Sequence, residues 1–167
     1  MIDQTTARLG MPLLAAGQSN KELTHNEALV ELDMLVQPVV VAINLDTPPA
    51  APAIGGCWIV GAAPTGAWAG RSGALAGWTG GGWRFVTPSE GFEAWCTSSA
   101  KPVAYRDGLW REGDISGTRV MIDGVRVVGP RGMAVADPAG GTVVDEAARQ
   151  AVAAILGALR QHGLIAS

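Results

Sequence analysis

The stretch Gly66-Ala-Trp-Ala-Gly-Arg-Ser-Gly-Ala-Leu-Ala-Gly-Trp-Thr-Gly-Gly-Gly-Trp83 sets three tryptophans among seven glycines. Tryptophan brings a large apolar face with a single N–H donor. Glycine yields backbone order and marks tight turns or close approach. Together they predict short strands joined by tight turns, with aromatic platforms that are either packed or offered to a ligand. The segments around this stretch extend the pattern: Cys57–Val60, Gly73–Trp78, Trp83–Val86, Phe92–Trp95 and Pro102–Tyr105 are short, apolar and bounded by Gly, Pro, Ser or Asp. That is the signature of a compact antiparallel sheet. Asp107-Gly108, between Tyr105 and Trp110, reads as a two-residue hairpin turn, and Asp123-Gly124 inside Thr118–Val128 as a second.

Helices flank this β region. Upstream, Ala16–Val36 carries Ser19 with Glu22 and Thr24 with Glu27, each spaced as a capping box. Leu29, Leu32, Val36, Val39 and Ile43 then step by three and four as a heptad seam, with Glu31 and Asp33 outside it. Pro38 ends the helix near Val36 or Gln37, and the β-branched run after it predicts a strand. The first ten residues read as extended, and Thr47–Gly56 as a Pro/Gly linker. Downstream, Val144–His162 opens with acidic residues, closes with Arg160 and His162, and is followed by Gly163 at the expected C′ position. Its apolar seam is Ala148, Val152, Ile155 and Leu159. The expected class is α+β in three parts: an N-terminal segment and helix over 1–46 for attachment and trimerisation, a Gly/Trp-rich β domain over 47–115, and a hairpin with a C-terminal helix over 116–167.

Composition narrows the function. Hydrophobic residues are 48% of the 167 and charged residues 16%, against about 25% charged in ordinary soluble chains. A subunit interface is the natural place for that surplus. A net charge of −3 and the lack of a basic patch argue against nucleic acid. The longest aliphatic run, Val39–Ile43, is too short to span a bilayer, and the N-terminus lacks the order of a signal peptide. Cys57 and Cys96 each adjoin a tryptophan and read as small buried hydrophobes rather than a disulfide.

Catalytic and metal chemistry is not indicated. His25 and His162 have no cysteine or carboxylate at ligand spacing, and His25 reads as a polar residue of a first helical turn. Gly80-Gly81-Gly82 lacks the Lys-Ser/Thr of a phosphate loop. Glu90 and Glu93 stand three apart beside a strand, which turns them to opposite faces and suits solvated carboxylates better than a glycosidase pair. No cofactor, metal or catalytic residue is therefore expected. Trp58 and Trp95 read as core. Trp68, Trp78, Trp83 and Trp110 are either packed, shared with a neighbouring subunit, or stacked on sugar rings.

The run Arg8-Leu-Gly-Met-Pro-Leu-Leu-Ala-Ala-Gly-Gln-Ser-Asn-Lys-Glu-Leu-Thr-His-Asn-Glu-Ala-Leu29 closely resembles the opening of DUF2793, a domain of tailed phages and gene transfer agents. Leu32-Asp33, Val36-Gln37-Pro38, Pro48-Pro49, Trp58–Gly61, Thr65–Gly70, Trp83-Arg84-Phe85 and Pro88–Gly91 are similar too, so that the resemblance covers roughly 5–112. The ending, Val144–Arg149 to Gly163–Ile165, resembles C-terminal helices of related virion fibre and spike proteins. The resemblance implies a virion protein, a tail fibre or head spike. It would be a homotrimer carried with other virion proteins and used for host attachment, with surface polysaccharide a possible ligand. It carries no catalytic residues. In such a trimer Leu29, Leu32 and Val36, and again Val152, Ile155 and Leu159, would meet their symmetry mates, unless each helix lies on its own sheet.

Overall fold

The computed structural model describes residues 5–15, 17 and 21–166. The class is α+β, and the chain divides into two units, Met1–Asp114 and Ile115–Ser167. The Thr47–Gly56 segment lies inside the first unit. It is tied to the sheet there, with Gly55 donating to the Trp78 carbonyl (2.8 Å) and Trp78 donating back to Gly56 (2.9 Å).

The N-terminal unit opens with a turn over residues 7–9, closed by a bridge between Thr5 and Pro12, where the sequence suggested an extended segment. Gly10 at φ 66° lets the chain reverse there. Helix α1 is Lys21–Leu35. Ser19 lies outside the described residues, and Thr24 with Glu27 falls within the helix rather than at its cap. Strand β1 (Val39–Val40) follows; the sequence had suggested a longer strand here. Next come β2 (Cys57–Ile59), a 3₁₀ turn at Gly66–Trp68, β3 (Leu75–Thr79), β4 (Gly82–Val86), β5 (Glu93–Cys96), β6 (Lys101–Arg106) and β7 (Leu109–Glu112). One sheet runs β1-β5-β6-β7, with β1 parallel to β5 and the rest antiparallel; the other runs β2-β3-β4, all antiparallel.

Residues 39–45 stitch the two sheets together. Val39 and Val40 pair with Trp95 and Cys96, while Val41 donates to Cys57 (2.8 Å), Ile59 to Ala42 (3.0 Å) and Leu45 to Ile59 (3.3 Å). The core fills the space so enclosed: Met34, Val40, Cys57, Ile59, Leu75, Cys96 and Val103 are all buried. Helix α1 approaches the sheet closely because Gly77 has no side chain. A Cβ at that position would stand 2.6 Å from the Met34 sulfur, so the thioether occupies the space a methyl would need.

The C-terminal unit contains hairpin β8 (Val120–Ile122) and β9 (Val125–Val128), then helix α2 (Glu146–Gln161). Both predicted Asp-Gly turns form. Asp107 and Gly108 sit at φ 53° and 73°, and Asp123 and Gly124 at 47° and 76°, the left-handed pair that a type I′ hairpin demands. Asp145 caps α2 by accepting from Ala148 N–H (3.0 Å). At the other end Gly163, at φ 72°, donates to Arg160 (2.9 Å) and Leu164 donates to Leu159 (2.9 Å). This is a Schellman closure. The C-terminus then pairs with Gly132, which donates to Leu164 (2.7 Å) and accepts from Ala166 (2.9 Å).

Candidate functional site

Three side chains of α1 tie the rest of the N-terminal unit to the helix. Asp33, 4% exposed, accepts from the Thr6 hydroxyl (2.8 Å), Arg8 N–H (2.9 Å) and Leu9 N–H (2.7 Å). Three donors converging on one carboxylate offset the cost of burying its charge. Arg8 completes the exchange by donating to the carbonyls of Asp33 and Gln37 at the helix C-terminus, where a cation opposes the negative end of the dipole. Asn26 clasps Leu14 through both amide groups, at 2.9 and 3.0 Å. Glu27 receives two hydrogen bonds from the Arg84 guanidinium of β4, each 2.7 Å. Thus Glu27, read as half of a capping box, is instead a fork partner of a distant strand, and Asp33, placed outside the seam, is its most buried polar anchor.

Between the N-terminal turn, α1 and sheet β2-β3-β4 lies a cavity of about 450 Å³. Val30, Met34, Ile54 and Trp78 give it apolar walls, and Gly80 and Gly81 give it a backbone rim. Its charged groups are committed: Asp33 to Thr6, Arg8 and Leu9, and Glu27 to Arg84.

The Gly/Trp stretch builds an aromatic cluster around Trp83. Trp58, Trp68 and Trp78 meet it edge-on with ring centroids at 5.6, 5.1 and 4.9 Å, the arrangement that indole quadrupoles favour. Of the four rings offered for sugar stacking, Trp68 is 0% exposed and has no face to give a ligand. Trp78 and Trp83 are half-buried in the cluster. Trp110 packs against Tyr105 and Phe92, and its N–H donates to the Gly73 carbonyl (2.8 Å). Trp58 is buried as expected, but Trp95, read as core, is 46% exposed. The reason is register: on β5 Ala94 and Cys96 face the core, which turns Glu93 and Trp95 outward.

A family model described as "Protein of unknown function (DUF2793)" matches residues 25–111. The chain belongs to the DUF2793 family. No curated protein matches it.

The DUF2793 match begins inside α1 and ends in β7, so it takes in Asn26, Glu27, Asp33 and Arg84, whose side chains join helix to turn and helix to sheet. Within α1 the match takes in Asn26 and Glu27, so this part of the family segment has an architectural task in this fold. Among the described residues no group of three His, Cys, Asp or Glu is placed to hold a metal ion, and no helix is long and apolar enough to cross a membrane. The His25 ring nitrogen lies 3.1 Å from the Lys21 carbonyl of the preceding turn. Glu90 accepts from the Asp107 N–H at the hairpin tip (3.0 Å), and Glu93 pairs with Arg106 (3.1 Å).

The hydrogen bond from Arg84 holds Glu27 below the usual carboxylate range and raises Arg84 in turn. Cys57 and Cys96 are both buried and free. Burial pushes the Cys57 thiol up to about 11. For Cys96 burial acts in the same direction, but hydrogen bonds from Ser98 and Ser99 outweigh it and lower the thiol. The seam residues divide. In α1 Leu29 is half-buried while Leu32 is exposed, as is Val36 just beyond the helix; in α2 Val152 and Ile155 are exposed, Leu159 is half-buried, and Leu156 alone turns fully inward.

Proposed function

We propose that this chain is a structural component of a virion appendage, a tail fibre or head spike of a tailed phage or gene transfer agent. In this reading it assembles as a homotrimer and contributes to host-surface attachment. The carrying observation is the surface of the C-terminal unit. Leu156 is its one buried residue among those described, while Ile122, Val125, Val127, Met133, Val143 and Ile155 all stand exposed. A segment with so little interior gains too little from burial to offset the entropy of ordering it. An apolar surface of this extent on a soluble protein marks an interaction site. Helix α2 offers it in self-complementary form, with Val152, Ile155 and Leu159 at seam spacing and no charge among them. The resemblance of Arg8–Leu29 and of the C-terminal helix to virion proteins supplies the setting.

The mass in solution tests this, by light scattering coupled to gel filtration. A value near three times 17.1 kDa is expected. Replacing Ile122 and Ile155 by Asp should return the mass to a monomer while leaving the unfolding transition of the N-terminal unit in place. A monomeric wild-type chain would overturn the reading. A second reading, glycan binding, is favoured by the open indole of Trp95 rather than by the four rings singled out from the sequence.

A further inference from the structure

We propose that the outer face of sheet β1-β5-β6-β7 binds an acidic saccharide, with Trp95 as the stacking platform and Arg111 as the partner of its carboxylate; this rests on the glycan-binding reading. Strand register places the groups. Trp95 is opposite Val39 on β1 and Pro102 on β6, so the three form one row. Glu93 is opposite Ala104, and Ala104 opposite Arg111, which makes a second row on the same face. Arg106, two residues beyond Ala104, shares that face and engages Glu93 at 3.1 Å.

The face is therefore an indole flanked by Val39 and Pro102, the Glu93–Arg106 pair, an exposed Leu109 opposite Arg106, and the Arg111 guanidinium, which has no hydrogen-bond or ion-pair partner among the described residues. A pyranose fits this pattern. Its C–H face covers the ring, and its hydroxyls meet the charged border. The apolar groups of the face, Val39, Trp95, Pro102 and Leu109, are interrupted by the Glu93–Arg106 pair and Arg111, unlike the continuous apolar centre of a stable protein interface.

Charge decides the class of sugar. The chain carries −3, yet the strand residues of this face carry Glu93 against Arg106 and Arg111. With Glu93 engaged by Arg106, Arg111 is the free charge, and its planar fork matches a carboxylate. Two strand spacings and two residues separate Trp95 from Arg111, about 12 Å between Cα atoms. Trp95 and Arg111 would then contact successive units of an oligosaccharide rather than one ring.

Calorimetric titration of the full chain with hexagalacturonate, and with maltohexaose as a neutral probe, tests the assignment. Hexagalacturonate should bind and maltohexaose bind more weakly. Trp95→Ala should weaken hexagalacturonate by about tenfold, the upper range for one aromatic contact. Arg111→Glu should abolish the preference for the acidic probe, and Arg111→Lys should restore part of it. Absence of binding, equal binding of both probes, or indifference to Trp95→Ala would each overturn the proposal. A lowered solution mass for Trp95→Ala would also overturn it, since the face would then be a subunit contact. Equal binding of both probes removes the acidic assignment and leaves the glycan-binding reading standing, whereas absence of binding to either probe removes both.

Discussion

The two units of this chain solve the problem of apolar surface in opposite ways. The N-terminal unit encloses a core, with Met34, Ile59, Leu75, Val103 and Trp68 all buried, although Leu32, Val36, Trp95 and Leu109 stay outside it. The C-terminal unit has a comparable aliphatic supply but leaves it outside, on a hairpin and a helix held by local devices: the turn at Asp123-Gly124, the Asp145 cap, the Schellman closure and the Arg160–Asp137 pair. Local devices specify conformation but contribute little net stability, since caps and exposed ion pairs are each worth about 1 kcal/mol or less. The lesson is that a segment can be well specified in shape and still depend on neighbours for its free energy.

Disrupting the aromatic cluster is the most severe way to break that contrast. Trp83→Ala removes the ring that three others meet. It should cost the N-terminal unit about 3–5 kcal/mol, seen in urea unfolding as an earlier transition, with the solution mass unchanged at low urea. Next comes Asp33→Ala, which strands a hydroxyl and two N–H groups in a buried place. A loss of about 2–4 kcal/mol is expected in the same measurement. A loss below 1 kcal/mol would mean that the N-terminal turn adds nothing to the stability of this unit.

The smallest effect sharpens the contrast through pH. Glu27 is lowered in the folded state by Arg84. Its contribution is therefore present above the unfolded carboxylate value, near pH 4–5, and is lost as pH falls through the lowered folded value. Both partners are partly exposed, so the change should stay within about 1 kcal/mol. Glu27→Gln should flatten that part of the stability–pH curve. If the slope survives in the variant, another carboxylate causes it.

What the sequence made legible was local. Asp-Gly turns and the caps of α2 act over four residues or fewer, so their chemistry reads directly from the chain, as does the strand order around them. The order of helices and short strands followed from the same punctuation. Glu27 to Arg84 and Asp33 to Thr6 span 57 and 27 positions, and nothing local distinguishes Glu27 from a capping glutamate or Asp33 from a solvated one. Trp95 shows a second kind of limit. Alternation reveals that a strand has two faces, but a shift of one residue exchanges them. Only the pairing of β5 with β1 and β6 settles that Cys96 is in and Trp95 is out. The same applies to the candidate site: the tryptophans were visible, but their exposure was not.

Residues 39–45 carry a consequence for biogenesis. Their partners at 57–61 follow them closely in the chain, but Val39 and Val40 obtain their parallel partners only from Trp95–Thr97. A chain emerging from the ribosome must therefore keep this strand half-paired until the fifth strand has been made. Pairings between distant positions are slow to close, and unpaired edges aggregate. The N-terminal unit is thus most vulnerable during its own synthesis, in the interval before residue 97 leaves the exit tunnel.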